Sequence, residues 1–170
     1  MVSVVIPTYQ ERDTIGTMIR EVTAAIGTRR FEIIVVNDNS PDGTADLAAG
    51  RAGAFPVKVF RQAGKSGRGT AVHYGFEQAT GSIVGILDAD LQHPSAIADT
   101  LVRAVEQGHD IAIANRYVRG GSVEGWPLSR LLCKAGGHRE HAVRYERIQD
   151  PTLVSWPTAI IRPCKRCPVG

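Results

Sequence analysis

Five short apolar runs punctuate the chain: Val2–Ile6, Phe31–Val36, Val57–Phe60, Ile83–Leu87 and Ile111–Ala114. Each ends in polar, glycine or proline residues. Apolar character that is nearly continuous, rather than alternating, suits strands covered on both faces, as in a parallel sheet. Between the runs the period changes. From Glu11, apolar residues recur at Ile15, Met18, Ile19, Val22 and Ile26, one face of a helix. Thr8 and Glu11 have capping-box spacing at its start. Thr44–Ala52 and Thr70–Ala79 read as a second and a third helix. In the fourth, Pro94 sits at a natural first position, Ile97, Leu101, Val102 and Val105 form a face, and Gly108 provides a stop. Strand and helix thus alternate, which predicts an α/β domain with a mainly parallel, doubly wound central sheet flanked by helices. In such Rossmann-like sheets the ligand lies beyond the carboxyl ends of the strands. Function is therefore to be sought just after each apolar run.

The pattern fails after Arg116. Gly120, Gly121, Gly125 and Pro127 mark a loop, and Leu128–Ala135 reads as a short basic helix. From Gly136 to Gly170 no periodicity stands out, and Pro151, Pro157, Pro163 and Pro168 interrupt the segment. Residues 1–135 are thus expected to form the domain, and 136–170 an irregular, poorly ordered tail.

Composition narrows the class. The chain has 170 residues, 43% of them apolar and 22% charged, a profile that argues against disorder, collagen and disulfide-dense miniproteins. No apolar run approaches the ~18 residues of a membrane span. The start lacks a basic n-region, and the three cysteines give no case for a disulfide framework, so the chain reads as cytoplasmic. The net charge of +3 hides an asymmetry: residues 1–115 carry −3 and residues 116–170 carry +6. Arg116, Arg119, Arg130 and Lys134 could face an anion, or the cytoplasmic surface of a membrane.

The strand ends carry the candidate chemistry. After the fourth run comes Asp88-Ala89-Asp90-Leu91-Gln92-His93-Pro94. Extended residues two apart share a side. Asp88, Asp90 and Gln92 would then offer hard oxygen ligands suited to Mg²⁺ or Mn²⁺; equally, a lone Asp-x-Asp is a common solvated loop. After the second run, Asp38 can accept hydrogen bonds from a base or ribose, while Ser40–Thr44 reads mainly as a Pro-Asp-Gly turn with a Thr cap. After the first, Tyr9 can stack on a base and Glu11 can accept its donors, or both simply open the helix. After the third, Gly64-Lys65-Ser66-Gly67-Arg68-Gly69 is a phosphate-friendly loop leading into a helix. It is not a P-loop, because Val59 stands where the first glycine belongs. The glycine fingerprint of nicotinamide enzymes is absent after the first run. Asn115-Arg116-Tyr117 follows the fifth, and arginines grip phosphate bidentately.

Five ordered motifs resemble the family 2, inverting glycosyltransferases of the GT-A fold, and within them the polyprenyl-phosphate sugar transferases. They are Val5–Arg12, Asn37–Thr44, Gly64–Gly69, Asp88–Pro94 and Asn115–Tyr117 with Gly120-Gly121, so the resemblance covers residues 2–135. It implies that Pro7, Tyr9, Glu11, Val36, Asp38 and Lys65 line a nucleotide-sugar pocket, usually for GDP. Asp88, Ala89, Asp90 and Gln92 would surround the diphosphate, with Asp88, Asp90 and Gln92 holding the metal. Arg116 and Arg130 would meet the acceptor phosphate or the diphosphate, joining Asp90 as catalytic groups. The implied reaction is metal-dependent transfer of a hexosyl group, expected to be mannosyl, to a polyprenyl or dolichyl phosphate. A peripheral membrane contact is implied and a nucleic-acid partner is not. Asn37 and Gln10 are mild departures from the family pattern. The tail departs further: Asp150-Pro151-Thr152 echoes a family motif that Leu153–Trp156 breaks, which suggests a curtailed or frame-shifted end. The rival readings are a non-catalytic donor-binding fragment and a family 2 transferase with another donor sugar. A zinc site built from Cys164, Cys167, His138 and His141 is a third and weaker rival, because nothing predicts a scaffold for it.

Overall fold

The computed structural model describes residues 1–91, 95–114 and 159–161. Each of the five apolar runs forms a strand. β1 spans Val2–Thr8, β2 Phe31–Asn37, β3 Val57–Arg61, β4 Ile83–Ile86 and β5 Ile111–Ile113. Helices follow the first four: α1 (Arg12–Ile26), α2 (Thr44–Ala49), α3 (Arg68–Gln78) and α4 (Ile97–Glu106). A sixth strand, β6 (Ala159–Ile161), completes a sheet of order β3-β2-β1-β4-β6-β5.

The continuous apolarity of β1 and β2 has the consequence expected of it. All seven residues of β1 are buried, and six of the seven in β2. Alternate residues serve two cores. Val4, Ile6, Ile33 and Val35 join Ile15, Met18, Ile19 and Val22 of α1 and Leu101, Val102 and Val105 of α4 on one face. Val5, Ile34, Val36 and Val84 meet Ala71 of α3 on the other. α3 lies close to the sheet at Gly75, where an added Cβ would come within 2.3 Å of Val5 Cγ1.

β1 pairs in parallel with β2 and β4, and β2 with β3. The chain moves outward from β1 to β3 and then returns across β1 to β4, so β1 and β4 flank the point at which strand order reverses. Ligands bind at such a switch point. β1 and β2 stay in register to the pair Thr8 and Asn37, while β1 and β4 are paired as far as Val5 and Ile86. The segments after β1, β2 and β4 therefore leave the same edge of the sheet.

Two expectations are corrected. β6 comes from the segment expected to be irregular. It runs antiparallel between β4 and β5, with Ile160 fully buried opposite Gly85, so β5 is not the neighbour of β4. Three residues are too few to show a period, and only the sheet context makes them a strand. The capping box also fails. Thr8 ends β1, where its hydroxyl donates to the Val36 carbonyl, and the Glu11 side chain caps no backbone amide of α1 but accepts the Thr14 hydroxyl at 2.8 Å. A neighbouring loop caps α1 instead: the Glu11 amide donates to Thr44 Oγ1 and the Arg12 amide to Asp42 Oδ2.

Candidate functional site

A cavity of about 230 Å³ opens at the carboxyl edge of the sheet, lined by Pro7, Thr8, Tyr9, Glu11, Asp38, Arg68, Ala71, Asp88, Ala89 and Asp90. Its walls are the segments that follow β1, β2 and β4, together with the first turn of α3. These segments are held in unusual backbone. The only non-glycine residues with positive φ among those described are Gln10 (58°), Asn39 (56°) and Leu91 (56°), one after each of β1, β2 and β4. Left-handed backbone costs most residues roughly 1 kcal/mol or more and persists where surrounding structure enforces it, often at functional sites.

The enforcing bonds are identifiable. Gln10 N–H donates to Ser40 Oγ at 2.9 Å, and Asn37 Nδ2 donates to the same oxygen at 2.7 Å. Asp42 accepts the Thr44 amide and hydroxyl through Oδ1 (3.0 and 2.6 Å) and the Arg12 amide through Oδ2 (3.2 Å). The Pro-Asp-Gly turn thus forms as read, but Thr44 is the first residue of α2 and not its cap. The turn needs glycine at Gly43, where φ is 82° and a Cβ would lie 2.4 Å from Arg12 Nη1.

Asp38 does more than face the cavity. It is only 4% exposed, and its two oxygens accept the amides of Ser66 and Gly67 at 2.7 and 2.8 Å. The carboxylate thereby ties the loop after β3 to the end of β2. Lys65, in that loop, does not line the cavity. Its ammonium lies over the Tyr9 ring, 3.9 Å from the centroid, a cation–π contact on the face expected to stack on a base.

Asp88 and Asp90 share the cavity, as the two-residue spacing predicted. Asp88 accepts a salt bridge from Arg68 Nη2 at 2.6 Å. Burial pushes the Asp88 carboxyl above its ordinary range, Arg68 pulls it back in part, and Asp90 adds to the rise. Among the described residues no group of three or more His, Cys, Asp or Glu side chains is placed to hold a metal. Among the described residues, Asp88 and Asp90 bring two carboxylates to the cavity. Two hard oxygen donors suit Mg²⁺ or Mn²⁺, which keep several waters and take phosphate oxygens as further ligands; they do not suit a closed zinc site.

Seven of the residues expected at the site come together: Pro7, Tyr9, Glu11, Asp38, Asp88, Ala89 and Asp90. Val36 does not line the cavity. It is fully buried in the smaller core, because inward-facing residues of β2 alternate and this one faces α3. Gln92, Arg116 and Arg130 lie outside the described residues, as do the tail cysteines, His138 and His141. Thr8, Arg68 and Ala71 were not anticipated. Arg68 stood within a motif already singled out, but with the helix taken to start at Thr70 its side chain had no assigned direction. Starting α3 at Arg68 places Arg68 and Ala71, three residues apart, on one helical face.

Comparison with known proteins adds to this geometry. The chain is 40% identical over 149 residues to dolichol-phosphate mannosyltransferase from Pyrococcus furiosus, covering 88% of this chain and 42% of that protein. It is 40% identical over 134 residues to polyprenol monophosphomannose synthase from Mycolicibacterium smegmatis, covering 76% of this chain and 50% of that protein. The chain thus spans about half the length of these curated relatives, or less. Among solved structures it resembles a mannosyltransferase from Pyrobaculum calidifontis in complex with GDP-Man and Mn²⁺, with a TM-score of 0.57, 26% identity, and coverage of 70% of this chain and 36% of that one. The sequence profile of glycosyl transferase family 2 matches residues 3–163, reaching β6 and so extending beyond the 2–135 covered by the motifs. With that match over most of its length, the chain belongs to glycosyl transferase family 2.

Proposed function

We propose that the cavity binds a nucleoside diphosphate sugar, GDP-mannose by preference, and that the protein transfers the mannosyl group to a polyprenyl or dolichyl phosphate. The observation that carries this reading is the gathering of Tyr9, Glu11, Asp38, Asp88 and Asp90 around one cavity at the switch point of the sheet. The activities that name the relatives from Pyrococcus furiosus and Mycolicibacterium smegmatis support the acceptor class. The GDP-Man and Mn²⁺ bound to the Pyrobaculum calidifontis neighbour support the donor and the metal.

Tyr9 offers a ring to the base and Glu11 a carboxylate to its N–H donors. Asp38 holds the 64–67 loop in place and presents an acidic edge to the ribose. Asp88 and Asp90, with Gln92 as third ligand, would hold Mg²⁺ or Mn²⁺. When bound, that ion supplies Lewis acidity that offsets charge growing on the departing diphosphate. Arg116 and Arg130 orient the acceptor phosphate. The acceptor oxygen is already anionic near neutral pH, so no strong general base is required and catalysis rests on positioning and charge. Attack on the anomeric carbon from the face opposite the diphosphate inverts its configuration. The acceptor lipid brings the protein to a membrane surface from outside the bilayer; among the described residues no helix is long and apolar enough to cross one.

The test is a screen of nucleotide sugars with Mn²⁺ and a polyprenyl phosphate, scored separately for binding and for transfer. Transfer of mannose with inversion is the expected result. Binding without transfer supports the second reading, a donor-binding unit. Tighter binding of another sugar nucleotide overturns the donor assignment.

A further inference from the structure

Arg68 is an arginine in an adverse place. It is the first residue of α3, whose first turn has no acidic residue. A cation there opposes the positive end of the helix dipole, so the helix itself gives no reason for it. Its position is nevertheless tightly specified. The amides of the two preceding residues, Ser66 and Gly67, both donate to the buried Asp38 carboxylate, which fixes where the Arg68 side chain starts. Gly67 reaches this geometry at a φ of 91°. From there the side chain enters the cavity and pairs with Asp88 at 2.6 Å. Asp88 is 16% exposed and Arg68 47% exposed, so the guanidinium bridges a sunken carboxylate and open solvent.

Asp88 is also one of the carboxylates assigned to the divalent ion. A guanidinium and a divalent cation compete for one carboxylate oxygen, because each repels the other at contact distance. A guanidinium has five N–H donors in a planar fork, and that fork matches phosphate oxygens as well as it matches a carboxylate. The diphosphate brings those oxygens together with the ion. We propose that Arg68 is an exchangeable counter-cation of the donor site: it neutralises Asp88, yields that carboxylate to the divalent ion, and turns its fork onto the donor diphosphate. The inference rests on the reading of this cavity as a nucleoside diphosphate and metal site. It adds a charged positioning residue from α3 to the site, and it links metal entry to movement of one side chain.

The test uses the full chain and two titrations: Mn²⁺ alone, followed by the free-ion electron paramagnetic resonance signal, and GDP in saturating Mn²⁺, followed by calorimetry. Arg68→Leu removes the competing charge, so affinity for Mn²⁺ alone should rise about fivefold. The same variant loses the phosphate fork, so GDP affinity in Mn²⁺ should fall about tenfold. Arg68→Lys keeps the charge without the fork, and should leave Mn²⁺ affinity near that of the unaltered protein while still weakening GDP. It carries the test if Arg68→Leu fails to fold. Unchanged or weaker Mn²⁺ affinity in Arg68→Leu overturns the exchange, as does unchanged GDP affinity in either variant. Failure of the unaltered protein to bind GDP in the presence of Mn²⁺ overturns the underlying reading of the cavity instead.

Discussion

Glu32 shows how one residue can be costly to bury and still be retained. It stands in β2, at the edge of the sheet away from the cavity, with its side chain 8% exposed. Oε1 accepts the Ser3 hydroxyl (2.6 Å), the Thr80 amide (2.8 Å) and the Thr80 hydroxyl (2.7 Å), while Oε2 takes Lys58 at 2.8 Å. Burial alone would raise its pKa, but the hydrogen bonds from Lys58, Ser3 and Thr80 outweigh that and hold it at about 2. A carboxylate whose pKa is depressed on folding contributes stability that is present above its unfolded value of 4.5 and lost as pH falls through about 2. Half-exposed Lys58 is screened by solvent, so the contribution is on the order of 2 kcal/mol. Urea unfolding from pH 6 down to pH 2 should show this loss, and Glu32→Gln should lower stability at pH 6 and flatten the acid limb. A variant with an unaltered acid limb would contradict the assignment. At this scale the sequence was legible wherever a polar residue ends an apolar run. Asp38, Asp88 and Asp90 stand out because a strand cannot bury them without reason. Arg68 and Thr8 were not legible: the direction of Arg68 depends on the first turn of its helix, and Thr8 reads as a helix cap by its spacing to Glu11, whereas it ends β1.

Among the elements, α3 carries the largest share of what periodicity could not reveal. It presents Arg68 and Ala71 to the cavity, and Gly75 to Val5. Val5 is fully buried and β-branched, so it has little freedom to move aside. In an open helix Gly→Ala would gain nearly 1 kcal/mol. At Gly75 the 2.3 Å approach to Val5 Cγ1 reverses the sign. Gly75→Ala should lower unfolding free energy by about 1–3 kcal/mol, read as a shifted urea midpoint. Since α3 must lift from β1 to accommodate the methyl group, donor affinity should fall with it. A midpoint that rises would show that the helix is free to shift. The strands and α1 were legible because burial on both faces and a 3.6-residue period leave strong patterns. The caps were not, because the groups that satisfy the amides of α1, Thr44 and Asp42, lie 30 or more residues downstream. β6 was hidden for a related reason: three apolar residues become a strand only between partners supplied by β4 and β5.

At the scale of the molecule, the opening pattern and the cavity are one argument. Parallel strands buried on both faces force the connecting helices outward and the polar strand ends together, so chemistry gathers at the switch point between β1 and β4. Among the described residues, Glu11, Asp38, Asp88 and Asp90 line the cavity with one arginine, Arg68, an excess of negative charge that a divalent cation would offset. The central claim is that Asp88 and Asp90 hold that cation against a nucleoside diphosphate. Calorimetric titration of GDP-mannose, with and without Mn²⁺, into the unaltered protein and Asp90→Ala tests it most directly. The account predicts Mn²⁺-dependent binding in the unaltered protein and its loss by roughly a hundredfold or more in the variant. Near-normal Mn²⁺-dependent affinity in Asp90→Ala would contradict it.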